Sequence, residues 1–359
     1  MISFELTEEQ KLAQSMLQDL AAKALRPAAR VADESEAISP RTLAELWATG
    51  VIQARADEDA PARTCVTNAI ALEELAFADA SFAIAAAAPL GFLSAIAAHG
   101  SAAQKKKLLP LFADDDYRSA SVAIAEPDFA FDVSAIRTSA VKTRNGYRLN
   151  GVKGPVPLAE KSSHFLVIAN LDDKREAFIV DRNIAGVIIE RKRGIGLRAL
   201  QMANVSFKDV ELAGDALLGE AAGCDVQQIV DSARVALAAI MSGTSRAVME
   251  FAIPYTKERV VHGAALAQKQ VIAFRLADMR IETDAMRWMV WKAASILEKG
   301  KVATREAQLA YTYAVEQAMW IADEGVQMLG GHGYLRDNPV EMWYRDIRTL
   351  SVLEGAVGV

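Results

Sequence analysis

Ala140-Val141-Lys142-Thr143-Arg144-Asn145-Gly146-Tyr147-Arg148-Leu149-Asn150-Gly151 decides the fold class of this chain. β-branched and aromatic residues recur between polar ones, and two Asn-Gly pairs are of the kind that reverse a chain in a tight hairpin. The same texture runs from Ser119 to about Val210. Ser121-Val122-Ala123-Ile124, His164-Phe165-Leu166-Val167-Ile168 and Ala177-Phe178-Ile179-Val180 are short strand-like runs separated by turn residues. The reading is an antiparallel β domain, a small barrel, over residues 118–222.

On both sides of this region the apolar period becomes helical. Upstream, Thr7 with Gln10 predicts a capping box ahead of an amphipathic helix to about Ala24. Ser39-Pro40 starts a second helix that Gly50 ends. Thr67 to Ala88 reads as one Ala-rich buried helix stopped by Pro89, and Ser101 caps another running to about Ala113. The lysines 105–107 on that helix read as a solvated face. Downstream, helices are expected over Val226–Arg259, Leu266–Lys299, Thr304–Leu329 and from Val340 onward, with Pro254 kinking the first and Gly330-Gly331 ending the third. Long helices with short connections imply an antiparallel bundle. The fold class is therefore α+β, mostly α: an N-terminal helical domain (1–117), the central antiparallel β-barrel (118–222) and a C-terminal helix bundle (223–359).

Composition narrows the function. Hydrophobic residues make up 52% of the 359, so a large core is affordable, and the net charge of -6 offers no attraction to nucleic acid or an anionic membrane. Two cysteines and four histidines lack metal-site or disulfide-framework spacing, and a reducing, cytoplasmic setting fits. No leader and no transmembrane run are expected. There is no Walker A string, no GxGxxG after a strand and no GxSxG elbow, which argues against a nucleotide kinase and a serine hydrolase.

A set of strings occurs in an informative order: Ala71-Leu72-Glu73-Glu74-Leu75-Ala76; Ala125-Glu126-Pro127 followed by Asp132; Gly146 to Lys153; Arg259 to Met279; Gln327-Met328-Leu329-Gly330-Gly331-His332-Gly333-Tyr334; Trp343-Tyr344-Arg345-Asp346; and Glu354-Gly355. Together, over nearly the whole chain, they resemble the acyl-CoA dehydrogenase family, with its EEL helix, TEPxxGSD loop, QxxGGxGY turn and YEG base. The resemblance implies three domains ending in a four-helix bundle and a tetramer. It also implies FAD held between barrel and bundle and across a subunit interface, an acyl-CoA thioester as substrate, and an electron-transfer flavoprotein as acceptor, in fatty-acid, lipid or steroid breakdown.

It also assigns roles. Removing the weakly acidic α-hydrogen of a thioester takes a carboxylate near that carbon in a dry site, donors for the developing enolate and a flavin to take the β-hydride. Glu354 stands at the base position; the plainer reading is a solvated glutamate. The family's other base position is Ala233 here. Asp231 and Arg234 match residues that contact the thioester's pantetheine or acyl end; the plainer reading is a surface ion pair one turn apart. Arg259, Gln270 and Gln327, with Gly330 and Gly331, match residues that reach FAD bound mainly to a neighbouring subunit. Ala85 to Ala88 read either as a roomy acyl pocket or as tight helix packing.

Departures cluster on the flavin-facing side. Ala125, Asp128 and Ala130-Phe131 replace Thr, Gly and Gly-Ser; Pro155-Val156-Pro157 replaces a Trp-Ile-Thr segment that packs on and bonds the flavin; His262, Leu353 and Ala356 replace Phe, Tyr and Thr; and Asp57 to Pro61 lacks the usual Gly-Gly. The half of the FAD site that a subunit builds for itself is eroded, and the half it donates is kept. Three readings follow: an FAD-dependent acyl-CoA dehydrogenase in a homotetramer, a half-site subunit of an α2β2 heterotetramer of the steroid side-chain type, and a related oxidase or monooxygenase.

Overall fold

The computed structural model describes residues 5–56, 65–128 and 130–359; the Asp57 to Pro61 stretch lies outside them. Thr7 and Gln10 form the reciprocal cap and start α1 (Glu8–Leu20). The helical path does not stop near Ala24. A π-helical turn over Ala21–Leu25 leads into α2 (Arg26–Ser35), with Pro27 in its first turn, where a missing N–H is best tolerated. Ser39 caps α3 (Pro40–Trp47), and α4 (Gln53–Ala56) is a single turn.

The single helix expected from Thr67 to Ala88 is two, α5 (Cys65–Ala78) and α6 (Ala80–His99). Asp79 makes the break: its backbone is extended, and its carboxylate accepts the N–H groups of Ser81 (2.8 Å) and Phe82 (3.2 Å). Pro89 does not end a helix but lies inside α6. That helix is buried almost throughout, so its packing offsets the bond proline removes. Ser101 and Gln104 form a second capping box at α7 (Ala102–Leu108).

The β region contains β1 (Ser119–Ala123), β2 (Ser139–Thr143), β3 (Gly146–Val156), β4 (Ser162–Leu171), β5 (Lys174–Asp181), β6 (Val187–Arg191) and β7 (Ala203–Ala213). They form one seven-stranded sheet, ordered β1-β4-β2-β3-β7-β6 with β5 on β4. In place of the expected closed antiparallel barrel, this sheet is mixed and its strand order does not close. β1 runs parallel to β4, as does the β2 contact between Ser139 and Asn170. β1 and β4 are not joined by a hairpin but by a long excursion that includes two other strands, which leaves parallel pairing open to them.

Of the two Asn-Gly pairs, only Asn145-Gly146 turns the chain, with Arg144-Asn145 at the β2–β3 tip. Asn150-Gly151 lies inside β3 at a register shift, where Asn150 exchanges bonds with the Asp209 side chain (3.1 Å) and amide (2.9 Å). Gly151 (φ +146°) is required there, because a Cβ would fall 2.6 Å from Thr138 Oγ1.

The remaining helices are α8 (Val226–Glu258), α9 (Gln270–Glu298), α10 (Thr304–Leu329) and α11 (Val340–Leu350). Leu266–Gln268 forms only a 3₁₀ turn after a small hairpin, β8 (Val260–Val261) with β9 (Ala264–Ala265), so α9 starts four residues later than expected. The long helices α8, α9 and α10 pack on one another, α11 packs on α10 and α8, and α5 packs on α8 and α9. The C-terminal helices therefore pack around a helix from the N-terminal region as well as on one another. The EEL glutamates make that joint. Glu74 receives Arg246 of α8 (3.0 Å), Glu73 receives Arg287 of α9 (2.8 Å), and Gln14 of α1 donates to Glu74 (2.7 Å). α6 and α8 are both long and apolar enough to cross a membrane, against the expectation that no such run exists. Both are mostly buried inside the fold.

Candidate active site

The segment after α11 carries Glu354 into the interior. Leu353 is fully buried, and its carbonyl accepts the Tyr311 hydroxyl at 2.8 Å. Gly355 takes a left-handed φ of +79°, and a Cβ there would lie 2.5 Å from the Ile124 side chain. Ala356 to Val359 are buried, with the Gly358 amide on the Ala87 carbonyl (3.3 Å) and the Val359 amide on Ser232 Oγ (3.0 Å). This brings three places remote in sequence together: the end of β1 with the Ala125-Glu126-Pro127 loop, the first third of α8, and residues 353–359.

At their meeting point Arg234 of α8 donates both Nε (2.8 Å) and Nη2 (2.5 Å) to Glu354 Oε1. Both side chains are largely out of water, at 10% and 20% exposure. The fork lands on one oxygen. Among the described residues no hydrogen bond reaches Oε2, which leaves that oxygen available to take a proton. The reading of Glu354 as a solvated glutamate does not hold.

Asp231 is one turn earlier but faces elsewhere. It is buried, and its oxygens accept Gln227 Nε2 (2.8 Å) and Thr304 Oγ1 (2.7 Å), tying α8 to the start of α10. The surface ion pair between Asp231 and Arg234 therefore does not form. Arg175 of β5 bridges the Val133 carbonyl (3.1 Å) and Gln227 (3.3 Å), clipping the 130–137 loop to α8. In that loop, hydrogen bonds from the Ser134 amide and hydroxyl, with smaller help from Arg175 and Arg234, hold the Asp132 carboxyl below its usual range.

Motif reading missed a buried ion pair behind the loop. Lys153 is fully enclosed and donates to Glu126 (2.9 Å) and to the Ile124 carbonyl (2.8 Å). Burial draws the Lys153 ammonium down to about 8, against the pull of Glu126. Burial also works to raise the Glu126 carboxyl, but bonds from Thr138, Lys153 and Arg137 outweigh it and hold it low. A lysine ending the strand pattern opposite a loop glutamate was the available signal, because a strand interior that takes in a cation must supply its partner.

Ala85 to Ala88 are fully buried in helix packing. The space lies further along α6, in a cavity of about 270 Å³ between Gly91, Ser94 and His99 on α6, Gln228 and Ser232 on α8, and the 357–359 tail.

Arg259, Gln270, Gln327, Gly330 and Gly331 gather at the opposite end of the bundle, and all are exposed. The Tyr255 hydroxyl joins the α8 and α10 ends there, meeting the Leu329 carbonyl (3.4 Å) and His332 (3.0 Å). Gly330 (φ +57°) and Gly331 have nothing within 4 Å of a Cβ position, so backbone is open to close approach. At 1.5 Å per residue, Arg234 and Arg259 are about 37 Å apart along α8.

The open group at the α8 and α10 ends has the chemistry to suit a dinucleotide: a guanidinium, two carboxamides and bare glycine backbone. The segment expected to face a flavin in the same chain has chemistry that suits it poorly. Pro155 and Pro157 offer no N–H, Val156 is buried in the sheet, and Phe131 packs against the core.

Three profiles described as "Acyl-CoA dehydrogenase" match: the N-terminal domain over 7–116, the middle domain over 121–210 and the C-terminal domain over 225–359. The short-chain specific acyl-CoA dehydrogenase, mitochondrial, of Mus musculus is 30% identical, covering 98% of this chain and 88% of that protein. A short-chain specific acyl-CoA dehydrogenase of Megasphaera elsdenii is 30% identical over 99% of this chain and 96% of its own length. The solved butyryl-CoA dehydrogenase of Megasphaera elsdenii superposes with a TM-score of 0.89 at 29% identity, covering 99% and 96% of the two chains.

Proposed function

The chain belongs to the acyl-CoA dehydrogenase family, and from that premise we propose that it serves in the flavin-dependent α,β-dehydrogenation of an acyl-CoA thioester, with Glu354 as the base. The observation that carries this is the Arg234 fork on Glu354 Oε1. It aims the carboxylate and leaves Oε2 free, in a water-poor junction walled by Ile124, Tyr311 and Leu353. FAD, when bound, supplies the acceptor for the β-hydride. This chain's contribution is to position the carboxylate and keep the junction dry. Electrons then pass to an electron-transfer flavoprotein.

The separation along α8 supports an oligomer, because Arg259, Gln270, Gln327, Gly330 and Gly331 lie too far from Glu354 to serve it in the same chain. An exposed apolar stripe on α9, Val271, Phe274, Ile281 and Trp288, is suited to a helical neighbour in a homo- or heterotetramer. What favours the second reading, a half-site subunit, is that Pro155-Val156-Pro157 and Phe131 stand at positions the family resemblance assigns to the flavin-facing side.

Two measurements decide. Glu354→Gln should lower turnover at least a hundredfold per folded, assembled enzyme, on top of a lower melting temperature from leaving Arg234 without its anion; unchanged turnover removes Glu354 as the base. Flavin absorbance of the chain purified alone, and with a second acyl-CoA dehydrogenase subunit, should give no FAD alone and one FAD per pair if this is a half-site subunit. One FAD per isolated chain excludes that reading and leaves the homotetramer.

A further inference from the structure

A second cavity, of about 280 Å³, lies where α2, the end of α5, Phe251 of α8, the 336–339 loop and α11 meet. It shares no residue with the Arg234–Glu354 junction or with the 259–331 group. Its walls are mainly apolar, with Phe251, Pro339, Met342 and Trp343 prominent, and three arginines, Arg26, Arg30 and Arg336, stand around it.

Those arginines differ in how they are neutralised. Arg30 is held by Glu341 (2.5 Å) and the Asn338 carbonyl (2.9 Å), with Asp33 at 3.7 Å. Arg336 is exposed, and Asp337 beside it also lines the cavity. Among the described residues Arg26 has no carboxylate within ion-pair distance. It donates to the Phe77 carbonyl and lies over the rings of Phe77 (4.1 Å) and Trp343 (5.1 Å), and its Nε is buried without an acceptor. The Trp343 indole N–H is also buried without one. Burial draws the Arg26 guanidinium down to about 10, only partly opposed by the more distant Glu250.

A largely buried cation without a counter-ion is unfavourable, and π faces compensate it in part. We propose that this cavity is a binding site for a small organic monocarboxylate, its carboxylate on Arg26 and Arg336 and its apolar body against Trp343, Phe251 and Met342. Two features select this class over inorganic phosphate. The three arginines set against Glu341 and Asp337 leave one formal positive charge, which suits a monoanion, and the walls are apolar where a phosphate has only oxygens to present.

The test is calorimetric titration of the full-length protein with octanoate, octanamide and inorganic phosphate. Octanoate should bind saturably, octanamide at least tenfold more weakly, and phosphate should neither bind nor compete. Arg26→Met should weaken octanoate at least tenfold and Arg336→Gln several-fold, while Arg234→Met leaves it unchanged. Equal binding of octanamide, competition by phosphate, or full affinity in Arg26→Met overturns the proposal. Loss of binding in Arg234→Met but not in Arg26→Met also overturns it, because that places the carboxylate at the dehydrogenation site. If Arg26→Met does not fold, the exposed Arg336→Gln and the octanoate-to-octanamide ratio decide. The inference does not depend on Glu354 being the base.

Discussion

Replacing Asp79 by Asn should stabilise the protein at pH 8 and leave it nearly unchanged at pH 4. Asp79 is 3% exposed, and Asp33 and Asp346 are buried near it. Burial is the main force on its carboxyl, moving it from 3.8 up to about 7; the Phe82 and Ser81 amides oppose the rise, and Asp33 adds to it. Burial and the Asp79 charge push Asp346 up as well. The sign follows from proton counting. Between pH 3.8 and about 7 the folded state keeps a proton that the unfolded state has released, so stability falls as pH rises through that window. About three pH units at ~1.4 kcal/mol each set a ceiling of ~4 kcal/mol. Sharing the proton with Asp346, and the weaker amide bonds of a neutral acceptor, reduce the expected gain to ~2 kcal/mol. Asparagine keeps the cap of α6, since its carbonyl oxygen can still meet the amides of Ser81 and Phe82. Urea unfolding at pH 4, 6 and 8 measures the effect. A wild-type stability flat across that range, or a variant equally destabilised at every pH, would refute the reasoning.

Lys153→Met should cost ~3 kcal/mol, because it leaves Glu126 buried without its cation, and the double variant with Glu126→Gln should recover part of that loss; equal melting temperatures for wild type and the single variant would exclude the pair as a structural element. Gly355→Ala combines a positive φ with a 2.5 Å approach to Ile124 and should cost ~2–4 kcal/mol by thermal unfolding. An unchanged melting temperature would show that residues 353–359 are not seated against β1.

Much of the helical framework was legible because its signals act within one turn. Thr7 with Gln10 and Ser101 with Gln104 each carry both halves of a capping box, and Thr304–Leu329 ends where glycine permits a left-handed exit. The collinear strings were enough to indicate the family. Signals that compete within one segment were misread. Asp79 breaks an otherwise continuous apolar helix, while Pro89, the stronger breaker on local grounds, passes through α6 because packing on every side outweighs one lost hydrogen bond. Asn150-Gly151 has the letters of a hairpin turn, but Asp209 across the sheet makes it a bulge.

What the sequence by itself determined is where helices begin and end and which residue types are on hand for the chemistry. The tertiary structure alone decided which of those residues meet. Arg234 reaches Glu354 across 120 positions, Asp231 turns to Thr304 instead, and Arg259 ends up on the far end of α8 from Glu354. The physical reason is range: caps, turns and periodicity are set by neighbours a few residues away, whereas these pairings are set by how three helices and a sheet edge close around one core.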